Sequence, residues 1–520
     1  MIAIMLPSLS CPSTWKSFRK EPARGASQGK SSPLSDPAKV PMLAVKWEFP
    51  ATGATALGGG FRASPVVANG RVFIGNGNGR LYALDANTGA LLWQYPAAGS
   101  PGLTSTYTCN PSSLGIASSA VITSVGGTEA VIFAAPDRSI GTGLGEGRLF
   151  ALNASTGAEI WKSPVIARLT GTSSGSTTQY HEQIGYSSPL VFNDHVYVGI
   201  GDHCDSPIQK GRVAAVLLAS GAIDAAFSYC STGTCADSTR GGGVWSPIAG
   251  WANAVFVTTG NTRRWGEPEP SPNNGLSLLR LNPSNGTIVW KYQPVPWDRD
   301  EDPDWSAPPT VMSTSCGMRV VSTQKDGWTH ALEPVMGSRQ WSYPPPPAGI
   351  PFTPTDGTVH GDSRYMRGGA AWGDVYIAMN GGRNLIATGV SGGYRRLHAF
   401  NVCAAASDRV RWIVDVPGAT GGAYSLGHPT VTGGIVYVGT NSGQLIAIAD
   451  PSKYPPAGWR CVNPDVATSN CVASGYTLVP DPAVLANVML NGSMVYNEPA
   501  LADGKLFVAT GAGKVYMLSP

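Results

Sequence analysis

With 520 residues, of which 42% are hydrophobic and 13% charged, the chain is long for one ordinary domain, and its 65 glycines and 42 prolines favour turns over long helices; large barrels and propellers are the usual all-β exceptions to that length. The formal charge of +3 is spread along the sequence, with no cationic stripe to follow a phosphate backbone, which excludes nucleic acid as a partner. No apolar run approaches the roughly 20 residues that cross a bilayer as a helix, so no membrane span is expected.

In chain order, Met1–Ser10 is apolar but short and lacks a basic leader, and it reads as a remnant signal region. Residues 1–41 as a whole are rich in Ser, Pro and Lys, a composition expected to stay disordered. Residues 42–520 are expected to form one domain. Nine cysteines are too scattered for a disulfide scaffold, but Cys230 with Cys235 and Cys461 with Cys471 sit close together in polar loops. Bridges there fit an oxidising compartment, periplasmic or secreted.

The domain is built on a repeat. Its clearest copy runs from Ala63-Ser64-Pro65 through Asn69-Gly70, Gly79 and Thr88-Gly89 to Trp93, with alternating Val, Phe, Tyr and Leu between the turns. Asn-Gly and Thr-Gly supply the positive φ that tight hairpins need, and the alternation is that of a half-buried sheet. Further copies carry Thr156-Gly157 with Trp161 and Asn285-Gly286 with Trp290, and others begin at Ser187, Ala307 (with Trp341), Gly368 (with Trp412) and Gly427. The last, Glu498 to Leu518, lacks its Trp-bearing strand, whereas Val45–Phe49 is an orphan strand bearing Trp47. The expected fold is therefore all-β: an eight-bladed β-propeller of four-stranded antiparallel blades, closed by the N-terminal strand so that no edge is left open. The repeat tryptophans then pack between blades. His330 and His398 occupy the Tyr slot of the repeat, which argues for core positions rather than metal ligation.

This Thr-Gly…Trp repeat resembles the pyrroloquinoline-quinone (PQQ) enzyme repeat. Where the pattern departs from plain repeat, in Gly241-Gly242-Gly243-Val244-Trp245-Ser246, Thr258 to Asn261 and Asp302-Pro303-Asp304-Trp305, it is similar to the quinoprotein alcohol dehydrogenases, nearest the polyvinyl alcohol dehydrogenase branch. The resemblance implies PQQ and Ca²⁺ as cofactors, with Trp245 as the stacking floor and Gly243, Lys325 and Trp372 also contacting the quinone. It implies Asp304 as catalytic base, assisted by Lys325, and a metal held by Asn261, Asp304, Asp302 and Asp205. Oxygen donors suit a hard cation, and a wide π-face suits a flat cofactor. An EF-hand reading of Asp298, Asp300 and Asp302 fails because Pro303 and Pro309 stand where the loop needs Gly and Glu.

Two positions depart from the family. The blade before Trp245 offers Asp202 and Asp205 but no matching Glu, and Ala371 replaces a cofactor-binding Asn. There is no vicinal Cys pair and no Cys-x-x-Cys-His for haem, and the branch's fused cytochrome is not matched. The implied activity is oxidation of primary or secondary alcohols, polymeric ones included, with electrons passing to a separate acceptor such as a cytochrome c or a quinone. Thr262–Asn274 is the expected rim of the pocket. The alternative is a non-catalytic propeller that binds protein or carbohydrate.

Overall fold

The computed structural model describes residues 14–29, 33–106, 113–137, 146–168, 171–172, 179–180, 182–202, 208–233, 235, 240–262, 274–294, 304–325, 328–343, 368–379, 396–405, 408–419, 426–450, 453, 478–479 and 484–520. Eight sheets of four or five strands are arranged as blades. Blade 1 takes Val66–Ala68, Arg71–Gly75, Leu81–Asp85 and Leu91–Tyr95 in spatial order. The first strands of blades 2 to 8 are Val121–Val125, Leu190–Phe192, Ala249–Trp251, Thr310–Thr314, Ala370–Trp372, Thr430–Thr432 and Ala500–Ala502. These strands lie against one another from blade 1 to blade 7, and blade 8's lies against blade 1's, so they form the inner ring.

Closure follows the sequence reading: Ala44–Phe49 pairs antiparallel with Val515–Ser519 and completes blade 8, with Trp47 opposite Met517. Among the described residues, no helix is long and apolar enough to cross a membrane.

The repeat tryptophans explain why Thr-Gly recurs. The indole N–H of Trp47 donates to the Ala86 carbonyl of blade 1 at 3.2 Å, Trp93 to Ala154 of blade 2 at 3.1 Å, and Trp161 to Leu218 of blade 3 at 2.9 Å. Trp290 and Trp341 make the same link to the Pro334 and Val402 carbonyls, while Trp412 donates to the Asp450 carboxylate. The Trp47, Trp93, Trp161 and Trp290 rings also lie on a turn glycine of the next blade: a Cβ at Gly89 would meet the Trp47 ring at 2.7 Å, and one at Gly157 the Trp93 ring at 2.8 Å. With φ of 72° and 73° at these two positions, the glycine is required twice, for its backbone and for the space.

The N-terminal expectation is corrected. Residues 14–29 do not form a disordered leader but run along the propeller axis, against the inner ring. Main-chain N–H groups of the inner strands of six blades, all but blades 3 and 8, donate to their carbonyls: Val67 to Trp15, Ile122 to Lys16, Gly250 to Pro22, Val311 to Ala23, Ala371 to Gly25 and Val431 to Ala26, at 2.7–3.0 Å. Ser27–Gln28 then pairs parallel with Val431–Thr432. Inner strands present an unpaired edge that must be satisfied once it is buried, and the main-chain carbonyls of this segment do this. Composition alone reads such a segment as solvated because its polarity serves hydrogen bonding rather than solubility.

His330 lies fully buried in Thr329–Leu332. The Tyr292 hydroxyl donates to its Nδ1 at 3.0 Å, which leaves Nε2–H to donate to Gln324 Oε1 at 3.1 Å. Burial, with help from Arg339, pushes the imidazole down from 6.5 to about 3. Between these values an unfolded chain binds a proton that the folded one refuses, so stability falls as pH drops through the window. Each unit there removes at most about 1.4 kcal/mol. His330→Gln should flatten the pH dependence of the urea midpoint below about pH 6.5; an unchanged slope would assign the acid sensitivity elsewhere.

Of the expected bridges, Cys230–Cys235 is present, while Cys461 and Cys471 lie outside the described residues. A second bridge, Cys316–Cys403, joins blades 5 and 6 across 87 residues of sequence, a separation at which proximity in sequence gives no signal.

Candidate functional site

Three side chains converge on the axial face formed by the segments that lead into the inner strands of blades 4 and 5. The Trp245 indole N–H donates to Asp304 Oδ2 at 2.8 Å, and Lys325 Nζ pairs with Asp304 Oδ1 at 2.6 Å. Lys325 Nζ also stands 5.3 Å from the centroid of the Trp245 ring. The ion pair is 3% and 8% exposed, so its charges depend on each other and on the indole hydrogen bond. The main chain fixes the arrangement. Lys325 N–H donates to the Asp304 carbonyl at 2.9 Å, and Trp305 and Gln324 form an antiparallel bridge beside it.

Glycines bring the backbone up to the indole. Gly241 and Gly242 have φ of 109° and 69°, and they turn the chain so that Gly242 N–H reaches the Asn261 carbonyl at 2.6 Å while Gly260 N–H reaches the Gly243 carbonyl at 2.7 Å. A Cβ at Gly260 would stand 3.2 Å from Trp245 Cδ1 and Nε1, and one at Gly201 would stand 3.4 Å from Trp245 Cβ. Asn261 follows Gly260 directly in the chain and is buried like Asp304. Asp202 lies behind Gly243 and accepts the Gln209 N–H at 3.1 Å.

Of the residues expected from sequence, Trp245, Asp304 and Lys325 are in mutual contact, and Gly243 and Asn261 lie on the backbone that hydrogen-bonds around the Trp245 segment. Asp205 and Asp302 lie outside the described residues, as does most of the expected rim. Trp372 is corrected: it ends the inner strand of blade 6, at its hairpin, where its ring packs 3.1 Å from the position of a Cβ on Gly434 and Lys453 Nζ stands 5.0 Å away. Trp245 leads into its inner strand, whereas Trp372 closes one, as Trp251 does in blade 4. These are opposite ends of the blade, which period counting by the nearest Trp does not separate. Ala371 is likewise mid-strand, its N–H on the Gly25 carbonyl.

Sequence reading also missed neighbours on the site's own face. Trp245 stands four residues before its inner strand, and the same offset in blades 1, 3 and 8 gives Arg62, Tyr186 and Tyr496. Arg62 lies 4.7 Å from the Tyr496 ring and reaches the Tyr186 hydroxyl at 3.5 Å. Counting offsets from each inner strand is the signal that would have found them.

A family profile described as PQQ, glucose/ethanol/alcohol dehydrogenase, β-propeller domain, matches residues 21–343. The chain belongs to this PQQ dehydrogenase family. Among curated PQQ dehydrogenases it is similar to the quinoprotein alcohol dehydrogenase PedH of Pseudomonas putida, with 24% identity over 46% of this chain and 40% of that one. It is also similar to a polyvinylalcohol dehydrogenase of a Sphingopyxis strain, with 22% identity over 64% and 51%. The chain spans between 36% and 51% of the four quinoprotein relatives it matches. In fold it resembles the quinohaemoprotein alcohol dehydrogenase ADHIIG of Pseudomonas putida HK5, with a TM-score of 0.64 at 15% identity over 98% of this chain and 80% of that one. A europium-containing methanol dehydrogenase gives 0.62 at 16% identity over 98% of each chain.

The residues present fit the family's cofactor. A flat indole backed by glycines, with an ammonium over its ring, suits a planar quinone that gains negative charge on reduction. For a hard cation, the Asn261 amide and Asp304 carboxylate are oxygen donors of the right kind. Among the described residues, no group of three or more His, Cys, Asp and Glu comes together as a metal cluster.

Proposed function

We propose that the protein is a PQQ- and Ca²⁺-dependent alcohol dehydrogenase that oxidises primary or secondary alcohols, polymeric ones included, and passes the electrons to a separate acceptor, a cytochrome c or a quinone. The observation that carries the reading is the Trp245–Asp304–Lys325 triangle: one carboxylate, one ammonium and one π-face, within contact of each other and held by main-chain bonds. The two disulfides among the described residues support a periplasmic or secreted location.

Bound PQQ supplies the quinone that accepts a hydride from the alcohol carbon. The protein's part is orientation and proton transfer. Trp245 supplies the floor, and its N–H fixes the rotation of the Asp304 carboxylate. Asp304 takes the hydroxyl proton as the carbon–oxygen double bond forms, and Lys325 offers a cation beside charge that develops on reduction. Asn261 and Asp304 would hold the Ca²⁺, with Asp302 and Asp205 as the proposed further donors.

Calorimetric titration tests this. PQQ should bind in the presence of Ca²⁺ and not in its absence, and Trp245→Ala should weaken binding by about tenfold or more, the equivalent of about 1.4 kcal/mol of stacking and burial. No heat with both partners present would overturn the reading in favour of a binding propeller.

A further inference from the structure

The axial segment does more than fill the channel, because one of its residues ties together the three blades that build the site. We propose that Arg24 is a positioning residue for the Trp245–Asp304 face, acting from the propeller axis through the inner ends of blades 3, 4 and 5. The inference rests on the reading of that face as the cofactor site.

Arg24 is fully buried, and its guanidinium donates from Nε to the Ile248 carbonyl at 2.7 Å, from Nη1 to Phe18 at 2.7 Å and from Nη2 to Pro189 at 3.1 Å and Ser188 at 3.4 Å. Ile248 lies three residues after Trp245 in the segment that carries it, and Ser188 and Pro189 lead into blade 3. The Arg24 carbonyl meanwhile accepts the Thr310 hydroxyl of blade 5 at 3.3 Å, next to Val311, whose N–H reaches the Ala23 carbonyl. Asp304 stands six residues before Thr310 in that same leading segment. Ser246 completes the connection, its single hydroxyl hydrogen shared between the Trp305 and Ser306 carbonyls, each at 3.2 Å. One side chain thus sets the depth of the Trp245 segment, and its main chain sets that of the Asp304 segment.

The chemistry asks for arginine in particular. Carbonyls of blades 3 and 4 and of the axial segment itself are reached at once by a rigid planar fork, which a lysine ammonium on a flexible stem does not reproduce. Backbone conformation agrees: Arg24 has a φ of 61°, a left-handed conformation that a residue with a Cβ keeps only where its surroundings determine it. Arg19, also fully buried and at a φ of 57°, is the natural comparison. It faces Glu498 of blade 8, and its Nε serves the Arg24 carbonyl rather than a site-bearing blade.

The test uses the full chain, comparing Arg24→Lys with Arg19→Lys well below either melting temperature. Amide hydrogen exchange is read at Val244, whose N–H bonds the Ile200 carbonyl, and at Lys325, whose N–H bonds Asp304. In Arg24→Lys both should exchange roughly tenfold faster or more, and PQQ affinity in Ca²⁺ and kcat for dye-linked alcohol oxidation should each fall by about tenfold, since small misplacements of reacting groups are costly. Arg19→Lys, whose parent side chain reaches the Arg24 carbonyl but no carbonyl of blades 3 and 4, should lower the melting temperature and move the three readings by less than a third as much as Arg24→Lys. Parental exchange in Arg24→Lys, or equal loosening in Arg19→Lys, overturns the proposal. If Arg24→Lys does not fold, Thr310→Val replaces it, and should speed exchange at Lys325 but not at Val244; no change at Lys325 overturns the proposal. Should the parent protein neither bind PQQ nor oxidise alcohol, the functional reading fails, and the exchange comparison still decides the role of Arg24.

Discussion

Asp304→Asn is expected to remove alcohol oxidation while leaving the fold and most PQQ binding in place. The amide is isosteric, its oxygen still accepts the Trp245 indole N–H now found at 2.8 Å, and the main-chain bond from Lys325 to residue 304 is untouched. What disappears is the group that takes the alcohol proton. Losing one general base costs on the order of 10²–10⁴ in rate, far more than the change in a solvated acidic loop would produce. Lys325 loses its ionic partner at the same time, so a stability loss of about 3 kcal/mol, the low end of what breaking a buried pair from one side costs, should accompany the loss of turnover. The measurement is kcat in protein shown to be loaded with PQQ by its absorbance. Turnover within a few-fold of the parent in loaded Asp304→Asn would mean that another group is the base.

The blades could be read from sequence because their signal is local and repeated. Thr88-Gly89 and Trp47 announce the same inter-blade contact that Gly157 and Trp93 make one blade later, and eight copies average out the irregular loops. The floor of the site was legible for the opposite reason: Gly241 to Trp245 breaks the repeat, and a break in a repeat marks a local constraint. Trp372 misled because a residue type was matched without its offset from the inner strand, and Arg62, Tyr186 and Tyr496 were missed through the same omission. The axial segment was not legible at all. Its partners lie as far as 483 residues away, as Trp15 and Glu498 do, and nothing in the composition of a Ser-, Pro- and Lys-rich stretch distinguishes carbonyls destined for a sheet edge from carbonyls destined for water.

That segment gives the largest expected effect on stability. Glu498 leads into blade 8 and is fully buried. It accepts the Trp15 indole N–H at 3.2 Å and the Arg19 main-chain N–H, and it faces Arg19 Nη1 at 3.8 Å. Burial pushes the Glu498 carboxyl up, opposed by Arg19 and by these hydrogen bonds, so the groups that favour its charged form come from the axial segment. Glu498→Gln keeps the shape and an acceptor for Trp15 and Arg19 but leaves the Arg19 and Arg24 guanidinium groups without their anion. Breaking a buried pair from one side typically costs about 3–5 kcal/mol, and a loss of that order should appear in the urea midpoint. Removing both charges separates this cause from a packing defect: Arg19→Met added to Glu498→Gln should recover a large part of the loss, because a buried pair replaced by groups of similar volume is often close to neutral. A loss below about 1 kcal/mol in the single variant, or a double variant no better than the sum of its parts, would show that the carbonyl bonds to the inner strands, rather than the charge at their centre, hold the segment on the axis.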